Sequence, residues 1–340
     1  MASRLRLAVL PTTLEPAARL GAAIGAPGLL TKRDDLAGPI YGGNKVRKLE
    51  YLFGDALQAG CDGVVTFGAA GSNHALATAI YAKRAGLICH AVLTDQVQTP
   101  WVANTLRWHG LLGTHLSFAA GFAETKAEAM RLRAKHPSGP DRLYEVAWGG
   151  SSPLGSLGFV DAGAELATQL AAAELRGPFR VYLPCGTMGS VAGLLVGLSV
   201  AGVPATIVSV KVVPQNVVDA GAVLRLAVAT QDLLSAGSAD SAAELAAHLE
   251  FRTEFAGDGY ALPTPECLEA TGLALELEGF KLDTTYSGKA LACLVADARS
   301  GRLAGHTPIF WQTWNSRPYP VGLNQVDVTQ LPAGFHKFFL

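Results

Sequence analysis

The 340-residue sequence predicts an α/β fold with mostly parallel sheets, and three observations carry that prediction. Short β-branched apolar runs alternate with longer Ala- and Leu-rich amphipathic stretches, the rhythm of strand–helix–strand units. Two of the apolar runs pass straight into glycine-bearing turns that open a helical pattern, as a βα connection requires. Hydrophobic residues make up 49% of the chain, ample for a buried core and too many for disorder.

Taken in order, residues 63–67 read as a buried strand and 73–85 as the helix that follows. Residues 87–94 are the next strand, 102–109 a helix, and 114–118 a third strand. A helix over 123–135 and a strand over 144–147 complete this run. The stretch Gly-Gly-Ser-Ser-Pro-Leu-Gly at 149–155 is a natural crossing between two lobes. Strands resume at 180–183 and 205–213, whereas 217–251, Ala/Leu-rich and low in glycine, reads as surface helices. Residues 181–210 carry no charge and are long enough to span a bilayer, with Gly189, Gly193 and Gly197 in a GxxxG series. Pro184 and Pro204 interrupt that span near its ends, so strand, turn, helix and second strand explain it better. The glycine face would then pack the helix on a sheet.

The charge balance, 27 Lys+Arg against 28 Asp+Glu, leaves no electrostatic footprint for nucleic acid and no basic block for a membrane surface. The cysteines, Cys61, Cys89, Cys185, Cys267 and Cys293, are odd in number and never form a CxxC pair. Neither a disulfide framework nor a metal site follows, and a reduced, cytoplasmic setting is expected. No apolar stretch near Met1 is long enough for a signal peptide.

Three glycine-bearing motifs hold reactive or polar side chains. In Gly-Gly-Asn-Lys-Val-Arg-Lys-Leu-Glu at 42–50, two glycines and an asparagine place Lys45 at the start of a helical pattern. The helix dipole, with Arg47 and Lys48, would lower the pKa of its amine, as Schiff-base chemistry needs. A solvated basic helix start is the plainer alternative. In Gly-Ala-Ala-Gly-Ser-Asn-His at 68–74, a strand, a turn and a helix make an anion-binding arrangement, although Ser72 and Asn73 serve equally as capping residues. In Pro-Cys-Gly-Thr-Met-Gly-Ser at 184–190, a phosphate would find the N–H groups of Gly186, Thr187, Met188, Gly189 and Ser190, with two hydroxyls. An ordinary tight βα turn is the alternative there. The segment matches neither GxGxxG nor the P-loop pattern, which weakens dinucleotide and nucleoside triphosphate readings. Further on, Tyr260 and Tyr286 stand in glycine-bearing loops, and an apolar strand from His306 runs into Gln312-Thr313-Trp314-Asn315.

Read together, these motifs resemble the pyridoxal-phosphate enzymes of the 1-aminocyclopropane-1-carboxylate (ACC) deaminase and D-cysteine desulfhydrase family, within the tryptophan-synthase-β-like fold type II. The match runs from Lys32-Arg-Asp-Asp35 to about Asn315, and its most specific element is GGNKxRKLEYL at 42–52. Gly-Tyr-x-Leu-Pro at 259–263 adds to it. The resemblance implies two α/β lobes with pyridoxal 5′-phosphate between them, usually in a homodimer. Residues 1–47 and 157–340 would form a large cofactor-binding domain and 48–156 a small α/β domain. Lys45 would hold the cofactor covalently, Asn73 would bond its phenolic oxygen, and Gly186 to Ser190 would cradle its phosphate with Lys48 adding charge. Ser72, Asn73 and His74 would meet the substrate, with Tyr260, Tyr286 and Trp314 facing it.

The cofactor is an electron sink, and the protein's task is to orient the bond to be broken and supply acids and bases. The resemblance implies that Lys45 abstracts the α-proton, a β-substituent such as thiolate leaves, and hydrolysis yields pyruvate and ammonia. In the family pattern, deaminases carry Glu after the second tyrosine and Leu in the C-terminal loop, whereas desulfhydrases carry Ser or Thr at both. Here the pair is Ser287 and Thr313; the resemblance implies that they bind the cofactor, and a neutral hydroxyl facing its ring holds less positive charge there than a carboxylate would, which favours elimination over cyclopropane opening. ACC deaminase and cysteate sulfo-lyase are the sister alternatives; a nucleotide-dependent oxidoreductase and a non-catalytic cofactor-binding protein stand further off. Three departures point to a reshaped pocket: Gly71 replaces the family's Gln and opens space, Met188 replaces a common Gly, and Trp314 stands where His-Thr-Gly-Gly places a Gly.

Overall fold

The computed structural model describes residues 2–99, 101–213, 218–234 and 240–340. Two compact units emerge, one of Met1–Leu7, Lys45–Gly150 and Arg317–Leu340, the other of Ala8–Asn44 and Ser151–Ser316. The second unit opens the chain's regular structure with β1 (Leu14–Pro16), α1 (Ala18–Ile24) and β2 (Leu30–Lys32). The first then contributes α2 (Lys45–Gln58), β3 (Gly63–Ala69), α3 (Asn73–Arg84), β4 (Ile88–Thr94), α4 (Val102–Leu112), β5 (His115–Ala119), α5 (Phe122–Ala134) and β6 (Leu143–Val146). Back in the second unit come α6 (Pro153–Ala172), β7 (Phe179–Cys185), α7 (Gly189–Val200), β8 (Ala205–Lys211), α8 (Ala220–Gln231), α9 (Ala242–Ala247) and β9 (Leu249–Arg252). The helices α10 (Pro265–Glu278) and α11 (Ser287–Arg299) and the strand β10 (Thr307–Trp311) close it.

The first unit holds a four-stranded parallel sheet in the order β5-β4-β3-β6. The second holds six strands in the order β1-β2-β10-β7-β8-β9, parallel except for the β1–β2 pair. Every residue of β3 and of β7 is buried, the pattern of strands covered on both faces, so these runs are continuously apolar rather than alternating.

The glycine series in α7 works differently from the sequence expectation. A Cβ on Gly193 would stand 2.1 Å from the Ser156 carbonyl oxygen, and one on Gly197 2.4 Å from that of Val160. Both carbonyls belong to α6, so the glycine face admits a neighbouring helix instead of the sheet. An uncharged helix of this kind is apolar all round because it is buried all round. Among the described residues no helix is long and apolar enough to cross a membrane. The expected surface helices over 217–251 are present as α8 and α9, but the segment ends in the edge strand β9, parallel to β8. Its charged side chains disguised it: Arg252 reaches Asp297 at 2.9 Å and Glu250 reaches Arg180 at 2.5 Å. Residues 217 and 235–239 of that stretch lie outside the described residues.

The units cut the chain at different points from the expected division. Residues 2–7 join the first unit because Glu50 of α2 anchors them, accepting from Leu7 N at 2.8 Å and pairing with Arg4. The segment 317–340 joins it because Phe335 and Phe338 are buried with Val102 and Leu106, and the Phe335 ring packs edge-on against Phe118.

Burial, complete for His109 and partial for His90, holds these two histidines of the first unit uncharged. Burial alone pushes the His109 pKa down to about 3, and burial with the nearby His115 and His136 pushes His90 to about 4. A folded pKa below the unfolded value of about 6.5 means that the unfolded chain takes up protons first, so stability is lost as pH falls below that value. At pH 5 His109 alone is expected to remove about 2 kcal/mol relative to pH 7. Urea unfolding at the two pH values, followed by circular dichroism, checks this; an unchanged midpoint would refute it.

Candidate active site

The first unit gathers its candidate residues around the starts of two helices. Lys45 is the first residue of α2, partly exposed, as the motif at 42–50 implied. One turn on, Lys48 is buried and its ammonium donates to the Gly149 carbonyl at 3.2 Å. Gly150 closes against the same group: a Cβ there, at φ +62°, would lie 3.3 Å from His74 Cε1 and 3.5 Å from Lys48 Cβ.

Ser72 follows β3 and caps α3, its Oγ accepting from Ala75 N at 3.2 Å. Capping uses a lone pair and leaves the hydroxyl proton free to donate, so the capping and functional readings of Ser72 coexist. Gly68 is required here, since its Cβ would stand 2.4 Å from that of Ser72. Asn73, the first residue of α3, is partly exposed. His74, expected to meet a substrate, instead turns inward and is 4% exposed, with Nε2 3.0 Å from Thr66 Oγ1 on β3. Burial and then the charges of Lys45 and Lys48 hold its pKa well below the ordinary imidazole value, so His74 is neutral and adds no positive charge beside the two lysines. This turn leaves the sheet at its switch point: β4 and β5 lie to one side of β3 and β6 to the other, the usual place for ligands in a parallel sheet.

The second unit brings together the other motifs. The turn between β7 and α7 is fastened by Ser151, whose hydroxyl donates to Thr187 Oγ1 at 2.8 Å and accepts from Gly189 N at 3.1 Å. Asn44 bonds Ser190 Oγ through Nδ2 at 3.0 Å and donates its backbone N–H to the Thr313 carbonyl at 3.1 Å. Gly43, at φ +93°, allows this approach; a Cβ would stand 2.7 Å from that same carbonyl. Gly42 N reaches Asn315 Oδ1 at 2.6 Å. Trp314 is buried beside Thr313.

Met188 adopts φ +68° and ψ −32°, a backbone state that ordinary side chains avoid, where a glycine would be at ease. Among the described residues only Glu174, Met188 and Ala261 are non-glycines with positive φ; Met188 lies within the turn from Gly186 to Ser190, and Ala261 follows Tyr260. Such strain clusters at functional sites. A phosphate fits this turn: α7 is twelve residues long, its N-terminus offers N–H donors, and the hydroxyls of Thr187, Ser190 and Ser151 surround it.

Tyr260 and Tyr286 meet, hydroxyl to hydroxyl, at 2.6 Å, with their rings edge-on. Burial raises both phenols, Tyr260 to about 12 and Tyr286 well above 10, so both hold their protons at neutral pH. Gly186 lies under the Tyr286 ring, where a Cβ would touch Cε1 at 3.1 Å. Ser287 is fully buried at the start of α11, and its hydroxyl donates to Asp283 Oδ1 at 2.5 Å while accepting from Asp283 N at 3.0 Å. Its proton is therefore committed within the protein. Sequence reasoning missed Asp283, which also accepts from the backbone N–H of Tyr286 and of Ser287, both at 2.9 Å. It missed Ser151 as well, although the Gly-Gly-Ser-Ser signal was in view, and Asn44, which lay inside the first motif.

A profile of the family described as pyridoxal-phosphate dependent enzyme matches residues 5–310. A D-cysteine desulfhydrase of Salmonella choleraesuis (strain SC-B67) is 33% identical over 316 residues, covering 91% of this chain and 92% of its own. Nocardicin C-9′ epimerase of Nocardia uniformis subsp. tsuyamanensis is also 33% identical, over 319 residues, covering 92% and 93%. Among solved structures, an ACC deaminase homologue superposes with a TM-score of 0.82 at 29% identity, covering 95% of both chains. The processed form of threonine deaminase isoform 2 from Solanum lycopersicum shares the fold, with a TM-score of 0.63 at 16% identity over 96% of this chain and 89% of its own.

Proposed function

The chain belongs to the pyridoxal-phosphate dependent enzymes, and from that premise we propose that it is a lyase catalysing α,β-elimination from a β-substituted amino acid, as the D-cysteine desulfhydrases do. The observation that carries the reading is the pair of tyrosine hydroxyls 2.6 Å apart, a geometry in which one phenol can pass a proton to a departing substituent while the other supports it. The overall change takes up one water and gives pyruvate, ammonium and the protonated leaving group, such as hydrogen sulfide.

Lys45 would carry the cofactor, Asn73 would bond its phenolic oxygen, and the turn from Gly186 to Ser190 would take its phosphate with help from Ser151. Of the two hydroxyls expected at its ring, that of Ser287 is occupied by Asp283, which leaves Thr313 the better placed to serve. When bound, the cofactor supplies the sink for electrons released at the substrate α-carbon. The protein's own groups do the rest. The Ser72 hydroxyl and the start of α3 bind the substrate carboxylate, where a helix N-terminus favours negative charge. Lys45 would take the α-proton at Nζ. The Tyr260–Tyr286 pair gives a proton to the leaving group.

The homodimer and the cytoplasmic setting belong to the same proposal; five buried cysteines, none of them in a disulfide, support the latter. A second reading, inversion at the α-carbon, draws support from the epimerase relative, since it shares α-proton removal. The test is the visible absorbance of the purified protein against D- and L-cysteine, D- and L-cysteate, β-chloroalanine, D-serine and ACC, with keto acids assayed. A spectral shift with pyruvate release supports elimination. Release of 2-oxobutyrate from ACC, or exchange of enantiomers without pyruvate, would overturn it.

A further inference from the structure

The space beside Gly71 is filled, contrary to the sequence expectation that this glycine opens the pocket. A Cβ on Gly71 would stand 3.0 Å from Val102 Cγ2, 3.1 Å from Gln96 Nε2 and 3.2 Å from Gln96 Oε1. The Gln96 carboxamide thus takes the place that a side chain at residue 71 would occupy, immediately before Ser72. Its Oε1 accepts from Gly71 N at 2.8 Å, and its Nε2 donates to the Val97 carbonyl at 3.2 Å. A carboxamide has two N–H donors, so one remains. Gln96, Gly71 and Asn73 are all partly exposed, so a small molecule can reach them.

The position of Gln96 is built in rather than incidental. Parallel pairing puts Ala69, at the end of β3, opposite Thr94, at the end of β4, and Ala70 N continues the ladder to the Thr94 carbonyl at 2.9 Å. Beyond β4 the loop is strapped to the C-terminal segment: Lys337 pairs with Asp95 at 2.5 Å, and Gln98 Nε2 reaches the Phe338 carbonyl at 3.4 Å. Asp95 Oδ1 also accepts from Gln96 N at 2.9 Å. The loop and the strap belong to the same unit as Ser72.

We infer that Gln96 is a specificity-determining residue, whose spare N–H binds anionic oxygens of the amino-acid substrate beside Ser72 and whose Oε1 holds the Gly71 turn. The inference rests on the function proposed above. A neutral donor next to a helix N-terminus favours negative oxygen without adding charge. That oxygen is either the α-carboxylate common to all amino acids or an anionic β-substituent such as a sulfonate.

Gln96→Ala is expected to raise KM about tenfold with kcat little changed, the effect of one lost hydrogen bond to a charged group. Gly71→Ala should match it, because its Cβ displaces the flexible carboxamide, and the double variant should be no worse than either alone. Gln96→Glu can still accept from Gly71 N but brings a negative charge, so its KM should exceed that of Gln96→Ala. Dissociation constants for glycine, which has no β-substituent, are read from the absorbance of the bound cofactor; KM values are compared between cysteate and β-chloroalanine. Weaker glycine binding assigns the contact to the α-carboxylate, and a loss confined to cysteate assigns it to the β-substituent. Gln96→Glu behaving as the unaltered protein would reduce Gln96 to backbone support and overturn the inference, as would additive effects in the double variant. Failure of the unaltered protein to bind the cofactor would overturn both readings. Normal turnover beside unchanged constants in all variants would overturn this one alone.

Discussion

Lys45→Ala is expected to abolish the visible band of the covalently held cofactor and all turnover, while the protein folds as before. The structural part follows from position. Lys45 is partly exposed at the first turn of α2, so truncation removes little packing, and alanine is the residue best suited to a helix. The helix is held elsewhere, by Val46, Leu49, Leu52 and Phe53, each no more than 2% exposed. Thermal unfolding of the two cofactor-free proteins should therefore differ little, as for a surface substitution. Borohydride treatment followed by mass spectrometry should fix the cofactor on the unaltered chain and not on the variant. Cofactor fixed on the variant would move the attachment to another lysine and refute the assignment. A second readout is independent of the cofactor: one of the charges that hold the His74 imidazole neutral disappears, so its pKa should rise in the variant.

Much of this was legible in the sequence, and the rest was hidden for identifiable reasons. The strands β3 and β7 and the helices behind them announce themselves because strands buried on both faces are continuously apolar and their turns carry glycine. β9 does not, because a half-buried edge strand with Glu250 and Arg252 has no clear period. The helix start at Lys45 and the turns at Ser72 and Thr187 were also visible, since their constraints are local. What stayed hidden depends on register. Gln96 reaches Gly71 only because Ala69 and Thr94 are partners across two strands, and nothing in the intervening sequence signals it. Ser287 and Asp283 are close in sequence, yet whether that hydroxyl faces outward or back onto the carboxylate is decided by the loop geometry before α11. The expectation that Gly71 leaves an opening failed for the same reason: a missing side chain in sequence is not an empty volume in space.

Tyr260→Phe and Tyr286→Phe are each expected to lower kcat by about 10²- to 10⁴-fold, the usual worth of a positioned general acid. The two phenols share one hydrogen bond at 2.6 Å, and the protein holds both sides of it. Asp283 fixes Tyr286 through its backbone N–H, and Gly186 lies beneath its ring. The loop of Tyr260 is held by the buried Lys289, whose ammonium donates to the Ala256 carbonyl, and by the left-handed Ala261 at φ +63°. Because the pair acts as a unit, the double variant should lose little beyond the worse single one. Folding should survive, since phenylalanine keeps the ring and both residues retain some solvent contact to satisfy the partner left behind. The raised phenol pKa values also set a sign for pH: the proton-holding form persists above the ordinary phenol value of about 10, so these groups impose no alkaline fall in kcat near that pH. Steady-state kinetics of the three variants with β-chloroalanine and with cysteine separate two roles. Chloride is a good leaving group that departs without a proton, so its elimination should suffer less than that of thiol. Equal losses on both substrates would mean that the tyrosines position the substrate rather than protonate what leaves, and undiminished kcat on both would remove them from the chemistry.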